Sequence, residues 1–433
     1  MNNLKGLFVF SLTNMIERFG FYAMMSIMVL SFMEERGYDG EKAGYYYSAF
    51  YSSSYIALLF MGLIGDLFNR RKIISAGMIS MIIGYFLYYF MPKEIDILLI
   101  IPGVFITLGL GAFKTNLQVQ VGDLYRDNIK NGTIGYLIFY SFINLGAIFA
   151  PGLAMYFRNN YGIDSVFLLS GSSIIIAFIL YNIVPIPMKF DRGLLIQKEK
   201  GISSVNEISE VANNFKNSEN DNYGSDRIIG LIFLIFLVPF FWVAFHQNGL
   251  VFTFYVKDFI DIKSDSLETI QAINPIALVL FSIIGILLLS FLVKLKSIHT
   301  ILPIIGIGML LVALGYFIPS YGLRDLTGKL SNSYAIVPML IISLGELFIS
   351  PFLIIGFYHY SPIKVRGLFM GLFMMLTAIG NMLLFLYASS YQTHGAESTF
   401  SKIVIHVLIS AIAVLIVWLI IKRVSQKNKI HKK

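Results

Sequence analysis

Gly62-Leu63-Ile64-Gly65-Asp66-Leu67-Phe68-Asn69-Arg70-Arg71-Lys72 is a short charged interruption between two long apolar runs, near 43–66 and 73–91. An acid at the end of one helix faces three bases across a tight turn, an arrangement that can latch one face of a bundle. Each flanking run exceeds the roughly 18 apolar residues needed to cross a hydrocarbon core of about 30 Å as a helix. Working outward, ten more such runs follow the same rule, near 5–33, 96–122, 133–157, 165–187, 228–256, 270–293, 298–318, 334–359, 366–390 and 401–421. The chain therefore reads as an all-α membrane protein with twelve transmembrane helices.

Composition agrees. Of 433 residues 57% are hydrophobic and 13% charged, against about a quarter charged in soluble domains. These values exclude a disordered chain, a protein basic throughout for nucleic acid, and an ordinary cytosolic enzyme. The chain has no cysteine, which removes disulfides, thiolate metal sites and a cysteine nucleophile. No cleavable signal is read at the start, because the first run is long and carries Glu17 and Arg18.

The longest polar stretch, 188–227, divides the chain into halves: 1–187 and 228–433, each with six of the runs. With both termini inside, 22 of the 33 Lys and Arg fall in inside segments, nine outside and two within the membrane. That bias obeys the positive-inside rule, so the net charge of +8 reports topology. The basic tail, Lys422 to Lys433, fits a stop beside anionic lipid. Two six-helix halves around a cytoplasmic linker resemble the major facilitator architecture, whose substrate site lies near the midplane between the halves. The 62–72 loop resembles that superfamily's Gly-x-x-x-Asp-Arg-x-Gly-Arg-Arg loop, which makes Asp66, Arg70 and Arg71 the candidate conformational gate.

Charges inside the membrane are costly and mark function by default. Four qualify: Glu17, Arg18, Lys114 and Glu346. Asn14, Glu17, Arg18 and Phe21 share one helical face, and Arg18, Tyr22 and Met25 continue beside it. Lys114 needs a carboxylate, and either Glu17 or a substrate can supply it; exchange between the two is what a coupled transporter requires. Glu346 can hold an ammonium group or a proton; Ser350 lies four residues past it, and Pro351 should break the helix there. Tyr55, Tyr140, Asn144, Trp242, His246, Gln247 and Asn274 add polar groups. For each, interhelical packing is the plain alternative, and His246 reads equally as a proton site or a filler. Tyr45-Tyr46-Tyr47 and Tyr88-Tyr89 are expected in an interfacial aromatic belt. No phosphate-binding loop, metal-ligand cluster or nucleophile–base constellation appears.

Several segments in order resemble the proton-dependent oligopeptide transporter family. Asn14-Met-Ile-Glu17-Arg18-Phe19-Gly-Phe21-Tyr22 is similar to its E-x-x-E-R-F-x-Y-Y. Gly111-Ala-Phe-Lys114-Thr-Asn116 with Gly122-Asp123-Leu-Tyr125 is similar to G-x-x-K-P-N…G-D-x-Y. Phe139-Tyr140-Ser-Phe-Ile143-Asn144-Leu-Gly146 through Pro151 is similar to F-Y-x-x-I-N-x-G-x-x-x-x-P. Phe241-Trp242, Asn274-Pro275, Gly345-Glu346 and Gly380-Asn381 follow. The resemblance implies import of di- and tripeptides driven by protons. It implies Arg18 and Lys114 at the peptide carboxylate and Glu346 at its ammonium. Tyr22, Tyr55, Asn144, Trp242 and Asn274 would line the pocket. Proton coupling would fall to Glu17, with Glu346 or His246. The expected partners are a peptide-like substrate, protons and the lipid bilayer of the plasma membrane. The chain is expected to be monomeric, with no cofactor, metal or nucleic acid.

Three departures accompany the resemblance. The family's first acid is Asn14, its first tyrosine of the Tyr pair is Phe21, and an arginine and an acid elsewhere are Met25 and His246. They leave two other readings open: a carrier of another small zwitterion or organic anion with altered coupling, and a non-transporting membrane sensor on the same fold.

Overall fold

In a computed structural model of the chain, residues 2–92, 95–184, 224–261, 267–291, 298–324 and 326–430 are described. The 188–227 linker therefore lies outside the described residues, except for its last four.

The described residues form fifteen α-helices and no strand, with one isolated bridge between Ile260 and Leu330. They are α1 Asn2–Arg36, α2 Gly40–Leu67, α3 Arg70–Phe90, α4 Ile100–Leu124, α5 Ile129–Tyr161, α6 Ser165–Ile183, α7 Ser225–Phe245 and α8 Val251–Phe259. Then come α9 Leu267–Phe291, α10 Ile301–Gly322, α11 Ser333–Leu347, α12 Ser350–Tyr360, α13 Arg366–Met382, α14 Phe385–His394 and α15 Ala396–Ile430. Among the described residues, eleven spans are long and apolar enough to cross a membrane. The expected run at 270–293 falls on α9, of which the described apolar section is the shorter Ile273–Leu287.

Three of these spans are each built from two helices. A 3-10 turn, His246–Asn248, separates α7 from α8. A turn at Phe348 and Ile349 separates α11 from α12, and another at Leu383 and Leu384 separates α13 from α14. The second break is the one expected near Pro351. That proline stands in the first turn of α12, where the missing N–H is no loss. Pro151, Pro239, Pro275, Pro319 and Pro338 lie within continuous helices.

Two compact units result. The first comprises described residues within 1–127, 138–222 and 361–375; the second those within 128–137, 223–360 and 376–433. Small residues set the tightest crossings in each. In the first unit α3 meets α4 at Gly77 and Gly109, and a side chain on either would strike the other's carbonyl. In the second unit α10 meets α11 at Gly308 and Gly345 in the same reciprocal way. Helices in lipid gain little from apolar burial against one another, so this close van der Waals approach is what holds them.

Candidate functional site

The first unit holds a cavity of about 220 Å³ walled by α1, α2 and α4. Arg18, Tyr22 and Met25 come from α1, Tyr51 and Tyr55 from α2, and Lys114 from α4. Helical spacing explains the set. Residues 18, 22 and 25 stack on one face of α1, and 47, 51 and 55 recur every fourth residue on α2.

Arg18 is 2% exposed and grips Glu17 with two parallel bonds, Nε to Oε2 at 2.7 Å and Nη2 to Oε1 at 2.6 Å. Its guanidinium also lies over the ring of Phe21, 4.6 Å from the centroid, and 5.7 Å from that of Tyr22. A planar, weakly hydrated cation suits this dry fork-and-stack environment. Glu17 is 0% exposed and wholly engaged by Arg18. Of the two carboxylates open to Lys114 from the sequence, Glu17 or a substrate, Glu17 is here paired with Arg18. The adjacent arginine wins because its fork takes both carboxylate oxygens at once. Lys114 therefore lines the cavity with no hydrogen bond or ion pair to the described residues. The Tyr51 and Tyr55 hydroxyls are 3.0 Å apart and polarise one another on the opposite wall.

Tyr47 and Tyr51 were missed as site residues. Tyr47 was expected in an interfacial belt, yet it lines this cavity and stacks on Tyr51, with centroids 6.1 Å apart. The four-residue tyrosine ladder was the available signal. Tyr88, also expected in the belt, is buried. Asn144 is 9% exposed and is absent from the cavity wall; its Nδ2 donates to the Tyr140 carbonyl of its own helix at 2.9 Å.

The second unit presents a separate polar cluster. Asn274 Nδ2 donates to Glu346 Oε2 and to Ser343 Oγ, both at 3.0 Å. Glu346 sits one residue before the end of α11, beside the break, and is 7% exposed. At the α7–α8 break, His246 stacks on Trp242 with centroids 4.7 Å apart. Gly380 lets α13 press onto the Trp242 Cβ. The Tyr316 hydroxyl donates to the Phe245 carbonyl at 2.6 Å, satisfying the helix end. Gln247 Nε2 donates to Val243 O at 2.9 Å and to Leu384 O at 3.3 Å, joining the α7–α8 and α13–α14 breaks. Trp242 Nε1, His246 Nε2, Gln247 Oε1 and Asn381 Oδ1 are buried without a partner. Each such atom costs about 1–3 kcal/mol unless something bonds to it.

The 62–72 turn is equally defined. Asp66, 1% exposed, accepts from Arg70 Nη2 at 2.8 Å and from the backbone N–H of Gly367 and Leu368 at 2.8 and 2.9 Å. It thus caps the start of α13, where unpaired N–H groups and the helix dipole favour a carboxylate. Gly62 and Gly367 allow the contact, since a Cβ on either would meet the other's carbonyl. Asn116 completes it: its Oδ1 accepts from Arg70 Nη1 at 2.9 Å while its Nδ2 donates to Met61 O and Ala112 O. Arg71 points elsewhere, contrary to its expected place facing Asp66. It donates to the carbonyls of Tyr181, Asn182 and Val184 at the end of α6, at 3.0–3.3 Å. A cation at a helix C-terminus is favoured there by the same dipole.

The sequence profile of the Major Facilitator Superfamily matches residues 10–385. The chain belongs to the major facilitator superfamily. This facilitator is 24% identical over 444 residues to the peptide transporter YePEPT of Yersinia enterocolitica, covering 88% of this chain and 86% of that one. It is 23% identical to the dipeptide and tripeptide permease B of Xenorhabdus bovienii, covering 88% and 85%. Among solved structures it is similar to a POT family transporter in complex with 5-aminolevulinic acid, with TM-score 0.65, 20% identity and 96% of each chain covered. It is also similar to the peptide transporter POT in complex with sulfate, with TM-score 0.65, 19% identity and 97% and 95% covered. The facilitator is a multi-pass membrane protein of a transporter fold, and its relatives are transporters rather than enzymes.

Proposed function

We infer that this facilitator is a secondary transporter that imports di- and tripeptides by alternating access, driven by proton influx. The observation that carries the reading is Lys114: a basic side chain lining a cavity beside Arg18, with no ion pair to a carboxylate among the described residues. A peptide carboxylate supplies one. Glu346, oriented by Asn274, takes the peptide ammonium, and Tyr22, Tyr51 and Tyr55 contact the peptide backbone. Glu17 and Glu346 are the proton carriers, with His246 at the α7–α8 break as a further site. Asp66 and Arg70 hold the cytoplasmic gate. We place twelve spans in two six-helix bundles in the plasma membrane, joined by the 188–227 linker, with both termini cytoplasmic and the chain working as a monomer.

The test is uptake of labelled dialanine into proteoliposomes under an imposed inward proton gradient. Uptake should follow the gradient and drop at least tenfold in Lys114→Ala and in Glu346→Gln. Uptake indifferent to the gradient overturns the coupling, and unchanged uptake in both variants overturns the site. One observation favours a second reading. Met25 lines the cavity where an arginine stands in the family pattern, leaving the wall less charged. A small zwitterion such as 5-aminolevulinic acid, bound by a relative of this fold, then becomes the cargo. Thermal stabilisation by 5-aminolevulinate but not by dialanine would decide for it.

A further inference from the structure

Arg18 and Glu17 close on one another, yet two polar groups of the same helix layer are left unused. Tyr85 of α3 is 0% exposed, and its hydroxyl is buried without a hydrogen-bond partner among the described residues. Asn14 of α1 is 2% exposed, and its Nδ2 is likewise buried and unpartnered. Packing brings both to the level of the acid. Asn14 stands three residues before Glu17, on the same face of α1. Three residues after Glu17, Gly20 presses on α6: a Cβ there would lie 3.1 Å from the Ser170 carbonyl, and Ser170 Oγ donates to the Gly20 carbonyl at 2.8 Å. The next residue of α6, Gly171, lies against Tyr85, whose Cβ would be 3.2 Å from a Cβ placed on that glycine. Thus α1 and α3 meet the same turn of α6, and the Tyr85 phenol lies within electrostatic reach of both Glu17 and Arg18.

A buried donor left unpaired is costly, and two beside one carboxylate call for an occasion on which they are used. The transport cycle inferred above supplies it. Arg18 reaches a peptide carboxylate only by loosening its fork on Glu17. The acid, 0% exposed, then needs another polar partner. A phenol suits either protonation state, since it donates to a carboxylate and accepts from a carboxylic acid. The Asn14 amide donates to a carboxyl oxygen in both.

We propose that Tyr85 and Asn14 are positioning residues that take over Glu17 when Arg18 leaves it, so that the acid alternates between a guanidinium-bound and a phenol-bound arrangement. Its part in transport rests on the reading of Arg18 as a partner of the peptide carboxylate; the exchange of partners does not.

A double-mutant cycle, read as thermal midpoint in detergent, tests the exchange without any substrate. Tyr85→Phe alone should leave the midpoint unchanged, because the hydroxyl makes no bond while Arg18 holds Glu17. In an Arg18→Met background, where Glu17 has lost that partner, Tyr85→Phe should lower the midpoint by about 2–4 °C. Asn14→Leu should follow the same pattern. Arg18→Lys, which keeps a cation but not the two-bond fork, carries the cycle if Arg18→Met does not fold. An equal fall in both backgrounds would make Tyr85 a packing residue and overturn the proposal. No fall in either would overturn it too, and would give the released Glu17 to Lys114, which is also within electrostatic reach. In proteoliposomes, Tyr85→Phe should slow dialanine uptake at least fivefold, and undiminished uptake would overturn its part in transport. A wild type that carries no dialanine while the cycle shows the expected coupling would overturn the cargo and support the exchange.

Discussion

At the scale of single residues, the two basic side chains of the cavity differ. Arg18 is paired with its neighbour Glu17, and Lys114 has no ion pair among the described residues. Arg18→Lys should break this division. An ammonium cannot reproduce the two-bond fork or the stack on Phe21. We expect a loss of about 1.5–3 kcal/mol from the charged hydrogen bonding, read as a lower thermal midpoint in detergent, together with weaker uptake. Tyr51→Phe is a milder probe. It removes one phenol of a 3.0 Å pair and leaves the Tyr47–Tyr51 stack. The cost should be about 1 kcal/mol, seen as a several-fold rise in KM with an unchanged thermal midpoint. A matching fall in thermal midpoint would make Tyr51 a packing residue. The charged wall of this cavity was legible in the sequence. Charges are scarce in apolar runs, so Arg18 and Lys114 stand out. Tyr51 was not, because tyrosines abound on this chain and only their spacing of four singles it out. Nor was the Glu17–Arg18 pairing, which depends on side-chain rotamers rather than on which face a residue occupies.

At the scale of elements, the Asp66 contact ties the end of α2 to the start of α13. Asp66→Ala should leave two helix amides and the buried Arg70 short of an acceptor. Breaking a buried ion pair typically costs about 3–5 kcal/mol, and the retained Asn116 bond places the expectation at the lower end. Thermal unfolding reads the loss. If Asp66 also gates transport, net uptake should fall further than counterflow exchange; equal loss in both would limit Asp66 to stability. Helix breaks were partly legible. Pro351 announced its own, because a proline at a helix start has an unmistakable cost anywhere else. The break after Leu383 has no proline and was not foreseen. It is held by Gln247 from 137 residues away, a contact that local propensity does not encode.

At the scale of the whole molecule, hydrophobic length and loop charge carried the reading. Eleven spans are found near expected runs, since run length measures what a bilayer demands. The composition of the two compact units was not legible. Residues 361–375 cluster with the first unit although they lie late in the chain, and 128–137 cluster with the second. Such exchanges depend on tertiary contacts, which hydropathy does not report. The absence of cysteine makes topology directly testable. Single cysteines at Asn69 and Asn128 should react with a membrane-impermeant maleimide only after the cell is opened. Asn160→Cys should react in intact cells. The reverse pattern would invert the orientation proposed above.

The Asp66 contact spans 301 residues, and that separation has a consequence for how the chain is made. At roughly 5–20 residues per second, a ribosome needs about 15–60 s after finishing Asp66 to reach Gly367. During that interval the carboxylate still has Arg70, four residues away, and Arg70 soon has Asn116. The first helices therefore enter the bilayer with their buried acid already neutralised. The late-arriving α13 docks onto a finished receptor instead of rescuing an exposed charge.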